Sequence, residues 1–506
     1  MRNRLYAASL LALLSITAPA ADSPETRAAR RFDSLRSQPP LLLAFLHEMP
    51  KGGDLHNHLA GAIYAESWID YAAQNGMCVD RTTSIVLAPP CDQSCDRFTS
   101  KPSAQCAYGD QVLYNSLIDA WSMRNWNPGE GSGHDHFFAT FDKFFPAMVN
   151  HVGDAIAESA SRAGFDHLQY LELMHTADGM NAAILGSKVG WDENLPQLRD
   201  KVLAAGLPGI VTSTRQQLDS DEQKMRSLLK CDSPQADAGC AVTVRYLYQV
   251  LRGLAPEQVF AQMVLGFELA KADPRFVGLN LVMPEDWYVP MHDFSLHMKM
   301  LDYLHGVYPK VHITLHADEL AMGLVPPEGL RFHIRDSIEI GHAERIGHGV
   351  AVMNERDPLS LMKEMAQRKV AVEICLTSND LILEVSGKAH PLATYLANGV
   401  PTLLATDDQG VSRSDMTHEY LKAALDQELS YPTLKRMARN SLEYSFLPGA
   451  SLWSDATSFK PDAACAADPL GKANPSSKCQ KFLETSERAR TQWRLEGEFT
   501  AFEARF

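Results

Sequence analysis

Lys51-Gly52-Gly53-Asp54-Leu55-His56-Asn57-His58-Leu59-Ala60-Gly61 decides the reading of this chain. Side chains two apart on a strand point to the same face. His56 and His58 therefore project together, the arrangement in which one element offers two metal ligands. A His-x-His alone reads equally as ordinary hydrogen bonding. Three later motifs change the balance: His316-Ala317-Asp318-Glu319, Arg345-Ile346-Gly347-His348-Gly349 and Thr406-Asp407-Asp408. Each ends a short apolar run, where a barrel strand presents its side chain.

Working outward from β-like Gly53–Leu59, seven further apolar runs follow: His167–Met174, Val242–Leu251, Phe276–Met283, His312–His316, Arg345–Val350, Val370–Leu376 and Pro401–Ala405. Helical patterns separate them, among them Phe144–Ala163, Pro256–Ala272, Phe294–His305, Leu359–Gln367 and Leu392–Ala397. Strand then helix, eight times over, predicts an α/β fold of the (β/α)8 TIM-barrel class. An open doubly wound sheet is the rival. That fold usually carries a glycine-rich phosphate turn after its first strand, and here the first strand ends in His-x-His.

The 506 residues are 45% hydrophobic and 22% charged, with a net charge of −15 and no basic run. That balance excludes a general nucleic-acid binder and disfavours an anionic membrane as partner. Arg2 and Arg4, the apolar stretch Leu5 to Ile16 and Ala18-Pro19-Ala20 read as a secretory signal cut near Ala20. The chain is then exported, to a periplasm or the extracellular space. Nine cysteines agree. Cys78, Cys91, Cys95 and Cys106 fall in one loop-rich stretch, Cys231 and Cys240 flank a polar loop, and Cys465 and Cys479 flank another. Cys375, in the apolar run Val370-Ala371-Val372-Glu373-Ile374-Cys375, is left over. Eight pairable cysteines suit an oxidising compartment, and three pairings remain open among the first four. A zinc knuckle is the competing reading of Cys91-x3-Cys95.

These features divide the chain into a signal at 1–20, a helical arm at 21–48 broken by Pro39-Pro40, a barrel at 49–447 and a C-terminal extension at 448–506. A disulfide-stapled insertion, loop-like over about 78–133, follows the first strand and lies over the top of the barrel. The arm caps the barrel bottom or serves a homodimer contact; its composition decides neither. A closing amphipathic helix is expected from Phe482 to Phe502.

Reactive side chains in a barrel sit at the C-terminal strand ends. His56 and His58, His316 and Asp407 make a sound zinc set with room for water, one ion per chain. Glu319 is placed for proton transfer, His348 for receiving or holding a proton, and Asp408 faces the substrate. Each has a plain reading as well: a core histidine for His316, a helix cap for Asp407-Asp408, a turn for His348, a surface charge for Glu319. Their joint occurrence in strand-end order is what argues for a site. His134 and His136, near the insertion's exit, read as helix-start residues rather than metal ligands, with lining the pocket as the alternative.

The order His-x-His, His-Ala-x-Glu, Gly-His-Gly, Thr-Asp-Asp resembles the adenosine/AMP deaminase family of metal-dependent hydrolases. Met49-Pro50-Lys51-Gly52, the export signal and the cysteine-bearing insertion resemble its secreted, growth-factor-type branch. The resemblance implies zinc on His56, His58, His316 and Asp407. It implies proton donation to purine N1 by Glu319, orientation or deprotonation of water by His348, and an Asp408 hydrogen bond at N7. The substrate it implies is adenosine or a related 6-aminopurine nucleoside. Three positions depart from the pattern. Ala60 replaces an acidic residue that contacts the ribose 5′-hydroxyl, Met283 replaces a glycine donating to N3, and His-Ala-Gly-Glu becomes His316-Ala317-Asp318-Glu319. A 5′-phosphate is disfavoured, because no basic cluster stands beside the motifs. Two other classes stay open: a binuclear amidohydrolase, which usually needs a lysine or carboxylate from a middle strand that Leu281-Val282-Met283 lacks, and a secreted signalling or binding protein with an inactive barrel.

Overall fold

The computed structural model describes residues 22–506; the export signal read at residues 1–20 lies outside them. Eight parallel strands form the core: β1 (Gly52–His58), β2 (Leu168–His175), β3 (Thr243–Leu251), β4 (Phe276–Val282), β5 (His312–Ala317), β6 (Arg345–His348), β7 (Ala371–Ile374) and β8 (Thr402–Leu404). Each pairs with the next in sequence. The ring closes where Asn57 of β1 bridges Asp407 just past β8. There His58 N–H donates to the Asp407 carbonyl at 3.2 Å, and Asp407 N–H donates to the His56 carbonyl at 2.8 Å. The closure of this TIM barrel is therefore made by the backbone of three candidate site residues.

Strand burial on both faces explains the near-continuous apolar runs; β4 is buried at all seven positions. Helix Pro256–Ala272 packs on β3 and β4. Pro256 starts it where a missing N–H costs nothing, and the Gln258 side chain accepts from Ala255 N–H. Its buried face carries Val259, Phe260, Met263, Val264 and Phe267, each stabilising by about 1.5–3 kcal/mol on burial. Gly266 sets the approach, since a Cβ there would lie 2.8 Å from the Tyr248 ring. A larger residue at 266 pushes the helix off the barrel.

The arm forms two helices, Pro24–Leu35 and Pro39–His47. Phe32 and Phe45 pack on Tyr431 of the helix Tyr431–Glu443, and Phe45 meets Phe502 of the last helix with ring centroids 5.1 Å apart. Phe32 and Phe45 are thus covered by the chain itself, while Leu41 and Leu43 of the second arm helix stay exposed.

Three expectations need correction. The stretch 78–133 is not wholly loop: a short ribbon pairs Cys78–Val79 with Val86–Leu87, and helix Gln111–Ala120 follows. Asp110 caps that helix by accepting from Val112 and Leu113 N–H, while Leu113, Leu117 and Ile118 form its buried face. The Pro-, Asp- and Ser-rich residues upstream obscure this short amphipathic pattern. The helix read at Phe144–Ala163 is divided: Gly133–Phe144 ends in a 3-10 turn, Phe145–Met148, and Val152–Phe165 starts afresh. Pro146 has no N–H to continue the ladder. The closing helix is also two, Ser477–Glu484 and Glu487–Glu503, because Ser486 caps the second by accepting from Ala489 N–H at 3.1 Å.

The disulfides are Cys78–Cys91, Cys95–Cys106, Cys231–Cys240 and Cys465–Cys479, with Cys375 free and buried. This selects one of the three pairings left open by the sequence. Sequence separations of 9 to 14 make each bridge worth about 3 kcal/mol in the chain-entropy account. Thiol titration of unreduced protein is expected to find one reactive thiol per chain, and only after denaturation. Two or more would contradict the pairing.

Candidate metal and catalytic site

Four donor atoms converge at the C-terminal end of the barrel. His316 Nε2 lies 3.1 Å from both His56 Nε2 and His58 Nε2. Asp407 Oδ1 lies 3.5 Å from His56 Nε2 and 3.3 Å from His58 Nε2. Nitrogens held about 2.0–2.1 Å from a tetrahedral zinc stand about 3.3 Å from one another. The opposite nitrogen of each ring has an oxygen partner. His56 Nδ1 donates to Glu373 Oε2 at 2.6 Å, His58 Nδ1 to Gln249 Oε1 at 3.0 Å, and His316 Nδ1 to Asn280 Oδ1 at 2.9 Å. Asn280 Oδ1 also accepts from His316 backbone N–H at 3.1 Å, which fixes that amide's orientation. With each proton held on Nδ1, three Nε2 lone pairs face one carboxylate. The donor set fits a divalent cation.

Electrostatics agree. Burial opposes charge on His56, yet Asp407 and Glu373 raise it to about 10. His316 is driven well below its ordinary value by burial and then by the neighbouring imidazoles. Burial opposes ionisation of Asp407, but hydrogen bonds to His56 and His58 hold its carboxyl well below the usual range. The carboxylates call for positive charge, and crowding prevents all three rings from supplying it as protons.

Beside the donors stand Glu319, His348 and Asp408. Glu319 is buried, and burial followed by the charges of Asp407 and Glu285 raises its carboxyl far above the usual range. His348 Nε2 lies 3.6 Å from Glu319 Oε1. Asp408 is pushed up to about 8 by burial and by Asp407. Its Oδ1 is buried without a partner. Gly61 leaves room for it, since a Cβ there would lie 1.5 Å from Asp408 Oδ1. One metal-type grouping of side chains takes His56, His316, His348 and Asp407, and another takes His58, Asp407 and Asp408. His58 Nε2 meets both His316 Nε2 and Asp407 Oδ1 at ligand spacing.

The strand ends turn sharply to aim these groups. Met283, Asp318, His348 and Asp407 all have left-handed φ, from 57° to 89°, a region rare outside glycine and concentrated at functional sites. Asp tolerates it better than most residues, which accounts for Asp318 in the His-Ala-x-Glu motif. Glu285 clamps that turn, accepting from Asp318 N–H at 3.2 Å, Glu319 N–H at 2.7 Å and His333 Nδ1 at 2.5 Å. Met283 is tied back toward β3: Gly253 N–H donates to its Sδ at 3.3 Å, and Arg252 Nε donates to its carbonyl at 3.1 Å. Ala60 is half-buried beside Gly61.

The insertion reaches this end of the barrel. His134 Nε2 donates to Asp286 Oδ1 at 2.9 Å, just past Glu285, while His136 Nε2 donates to the Ser122 carbonyl. Met123 N–H donates to the Val411 carbonyl at 2.8 Å. His134 thus ties the insertion to the loop after β4, beyond the helix-start role read from the sequence. Glu373, Gln249, Asn280 and Glu285 were not singled out by sequence reasoning. Glu373 alone left a signal there, a single acid within the apolar run of β7.

Residues 208–452 match the family model described as adenosine deaminase. Over that segment, just under half of the chain, the sequence is that of the adenosine deaminase family. The matched segment holds His316, Glu319, His348 and Asp407; His56 and His58 precede it and join them through barrel closure. An adenosine deaminase of Escherichia coli O1:K1 / APEC is 42% identical over 137 residues, 27% of this chain and 38% of that one. The chain therefore spans well under half the length of that curated relative. Among solved structures, the adenine deaminase of Arthrobacter aurescens is similar with TM-score 0.50 and 18% identity, covering 79% of this chain and 94% of that one. The N6-methyl-AMP deaminase of Arabidopsis thaliana has TM-score 0.52 and 21% identity, with 80% and 94% covered. An amidohydrolase of Burkhoderia ambifaria with bound Zn has TM-score 0.51 and 16% identity, with 80% and 88% covered. At these identities the likeness shows the barrel fold alone.

Proposed function

We propose that this chain hydrolytically deaminates a 6-aminopurine nucleoside, adenosine first among them, giving the 6-oxo product and ammonia. The observation that carries the reading is the convergence of three Nε2 lone pairs and Asp407 beside a buried, proton-holding Glu319. Zinc on His56, His58, His316 and Asp407, one ion per chain, would supply a Lewis acid that brings the pKa of water toward neutrality. The Zn reported with the Burkhoderia ambifaria amidohydrolase supports that choice of metal.

The chain's own residues perform the proton work. Glu319, whose burial beside Asp407 and Glu285 favours the protonated carboxyl, donates to purine N1 and makes C6 electrophilic. His348 holds the water that adds to C6. Asp408, its carboxyl pushed up to about 8 and one oxygen without a partner among the described residues, donates a hydrogen bond to the lone pair of purine N7. Glu373, Gln249 and Asn280 orient the three donor rings. The four disulfides support an exported enzyme, and among the described residues no helix is long and apolar enough to cross a membrane. The names of the solved relatives, adenine deaminase and N6-methyl-AMP deaminase, support chemistry at the purine 6-position.

Formation of the 6-oxo product from adenosine, 2′-deoxyadenosine, adenine, N6-methyladenosine and AMP, with release of ammonia or, from N6-methyladenosine, of methylamine, tests the reading. Adenosine or its deoxy form is expected to be turned over with the highest kcat/KM. Turnover of AMP alone would move the substrate to the nucleotide, and release from none of them would discard the deaminase. A second expectation concerns Gln249, the neutral partner of His58. Gln249→Ala is expected to weaken zinc binding about 10–100-fold, measured by competition with a chelator; unchanged affinity would remove Gln249 from the ring-orienting set.

A further inference from the structure

His348 is fully buried at the end of β6. Its Nε2 points among the metal-type donors and has no hydrogen-bond partner among the described residues. Its Nδ1 lies 2.9 Å from Asn379 Nδ2. Which ring nitrogen carries the proton is decided two side chains away. The backbone N–H of Leu392 donates to His390 Nδ1 at 3.2 Å. A backbone amide has only a proton to offer, so His390 Nδ1 holds a lone pair and the ring proton sits on Nε2. That N–H donates to Asn379 Oδ1 at 3.1 Å. With its oxygen end fixed, Asn379 must turn its NH2 toward His348, whose Nδ1 therefore accepts. The remaining proton of His348 is on Nε2. His390, Asn379 and His348 are each no more than 2% exposed, so no solvent competes for these bonds.

We propose that His390, acting through Asn379, is a positioning residue that locks His348 as its Nε2–H tautomer, so that His348 holds the attacking water by donating to its oxygen and does not take its proton. This role is distinct from that of His56, His58 and His316, whose protons are held on Nδ1. The hydrolytic balance closes without a base at position 348. Glu319 gives its proton to N1, the water oxygen bonds to C6, and the first water proton returns to the Glu319 carboxylate, 3.6 Å from His348 Nε2. The C6–N bond breaks, and the second water proton leaves with the amino group as ammonia.

The kinetic arm of this inference rests on the deaminase reading; its structural arm does not. Nitrogen-labelled histidine NMR on the full chain, with and without added zinc, reads the tautomer directly, and His348→Asn assigns the resonance. The wild-type chain is expected to show His348 protonated at Nε2 and bare at Nδ1. His390→Ala frees Asn379 to turn over and is expected to populate the Nδ1–H form, with kcat reduced about 10–100-fold and KM little changed. His390→Gln keeps a side-chain donor for Asn379 and is expected to restore both the tautomer and much of kcat. Protonation at Nδ1 in the wild-type chain overturns the proposal, and so does an unchanged tautomer in a folded His390→Ala. Should that variant fail to fold, the wild-type spectrum decides alone. A wild-type chain with the expected tautomer and no ammonia release removes the deaminase while leaving the lock standing.

Discussion

Glu319→Gln is expected to retain wild-type zinc content and to lose about 10²–10⁴-fold or more in kcat on adenosine, with KM moving little. Gln reproduces the shape and hydrogen-bonding pattern of a protonated Glu. What it lacks is a proton to give. The substitution asks little of the fold, because burial and the neighbouring Asp407 and Glu285 already favour the protonated carboxyl at position 319. The turn that presents it is unaffected, since Glu285 clamps the backbone N–H groups of Asp318 and Glu319 and not the Glu319 side chain. A loss in kcat and kcat/KM together is the signature of an interaction made in the transition state. Steady-state kinetics beside metal analysis makes the comparison. A zinc-loaded Glu319→Gln that turns over at the wild-type rate would place the acid on another residue.

His58→Ala is expected to lose both metal and activity, and to lose metal more completely than Gln249→Ala does. Three Nε2 atoms and Asp407 Oδ1 form the donor set, and His58 supplies one corner, 3.1 Å from His316 and 3.3 Å from Asp407. Removing a donor costs more than removing the residue that orients it, for which about 10–100-fold is typical. Its side chain is 12% exposed, so the truncation leaves a small, solvent-reachable gap in place of a sealed core cavity. Competition with a chelator and elemental analysis read the loss. Retention of a full zinc equivalent by His58→Ala would return His348 to the ligand set and dissolve the distinction drawn here between the two rings.

The barrel was legible because its strands are nearly continuous apolar runs and its reactive residues sit where those runs stop. His56 and His58 share a face by strand periodicity, and all four motifs meet at one end of the sheet. The residues that orient them were not legible. Gln249, Asn280 and Glu373 lie on three different strands, and only barrel closure brings them behind the rings they serve. Glu285 follows β4 in the chain, while its work is done on a turn after β5. Helix Gln111–Ala120 was missed because ten residues with one narrow apolar face are hard to see among prolines and disulfides. The tautomer of His348 depends on a backbone N–H forty-four positions away in sequence, at Leu392, which no local pattern carries.

Stepwise addition of zinc to metal-stripped protein, with ammonia release from adenosine measured at each point, tests the metal-dependent deaminase most directly. Activity is expected to rise in proportion to zinc and to level off at one equivalent per chain. Activity that requires two equivalents, that is full in the stripped protein, or that never emerges at any zinc level would contradict it.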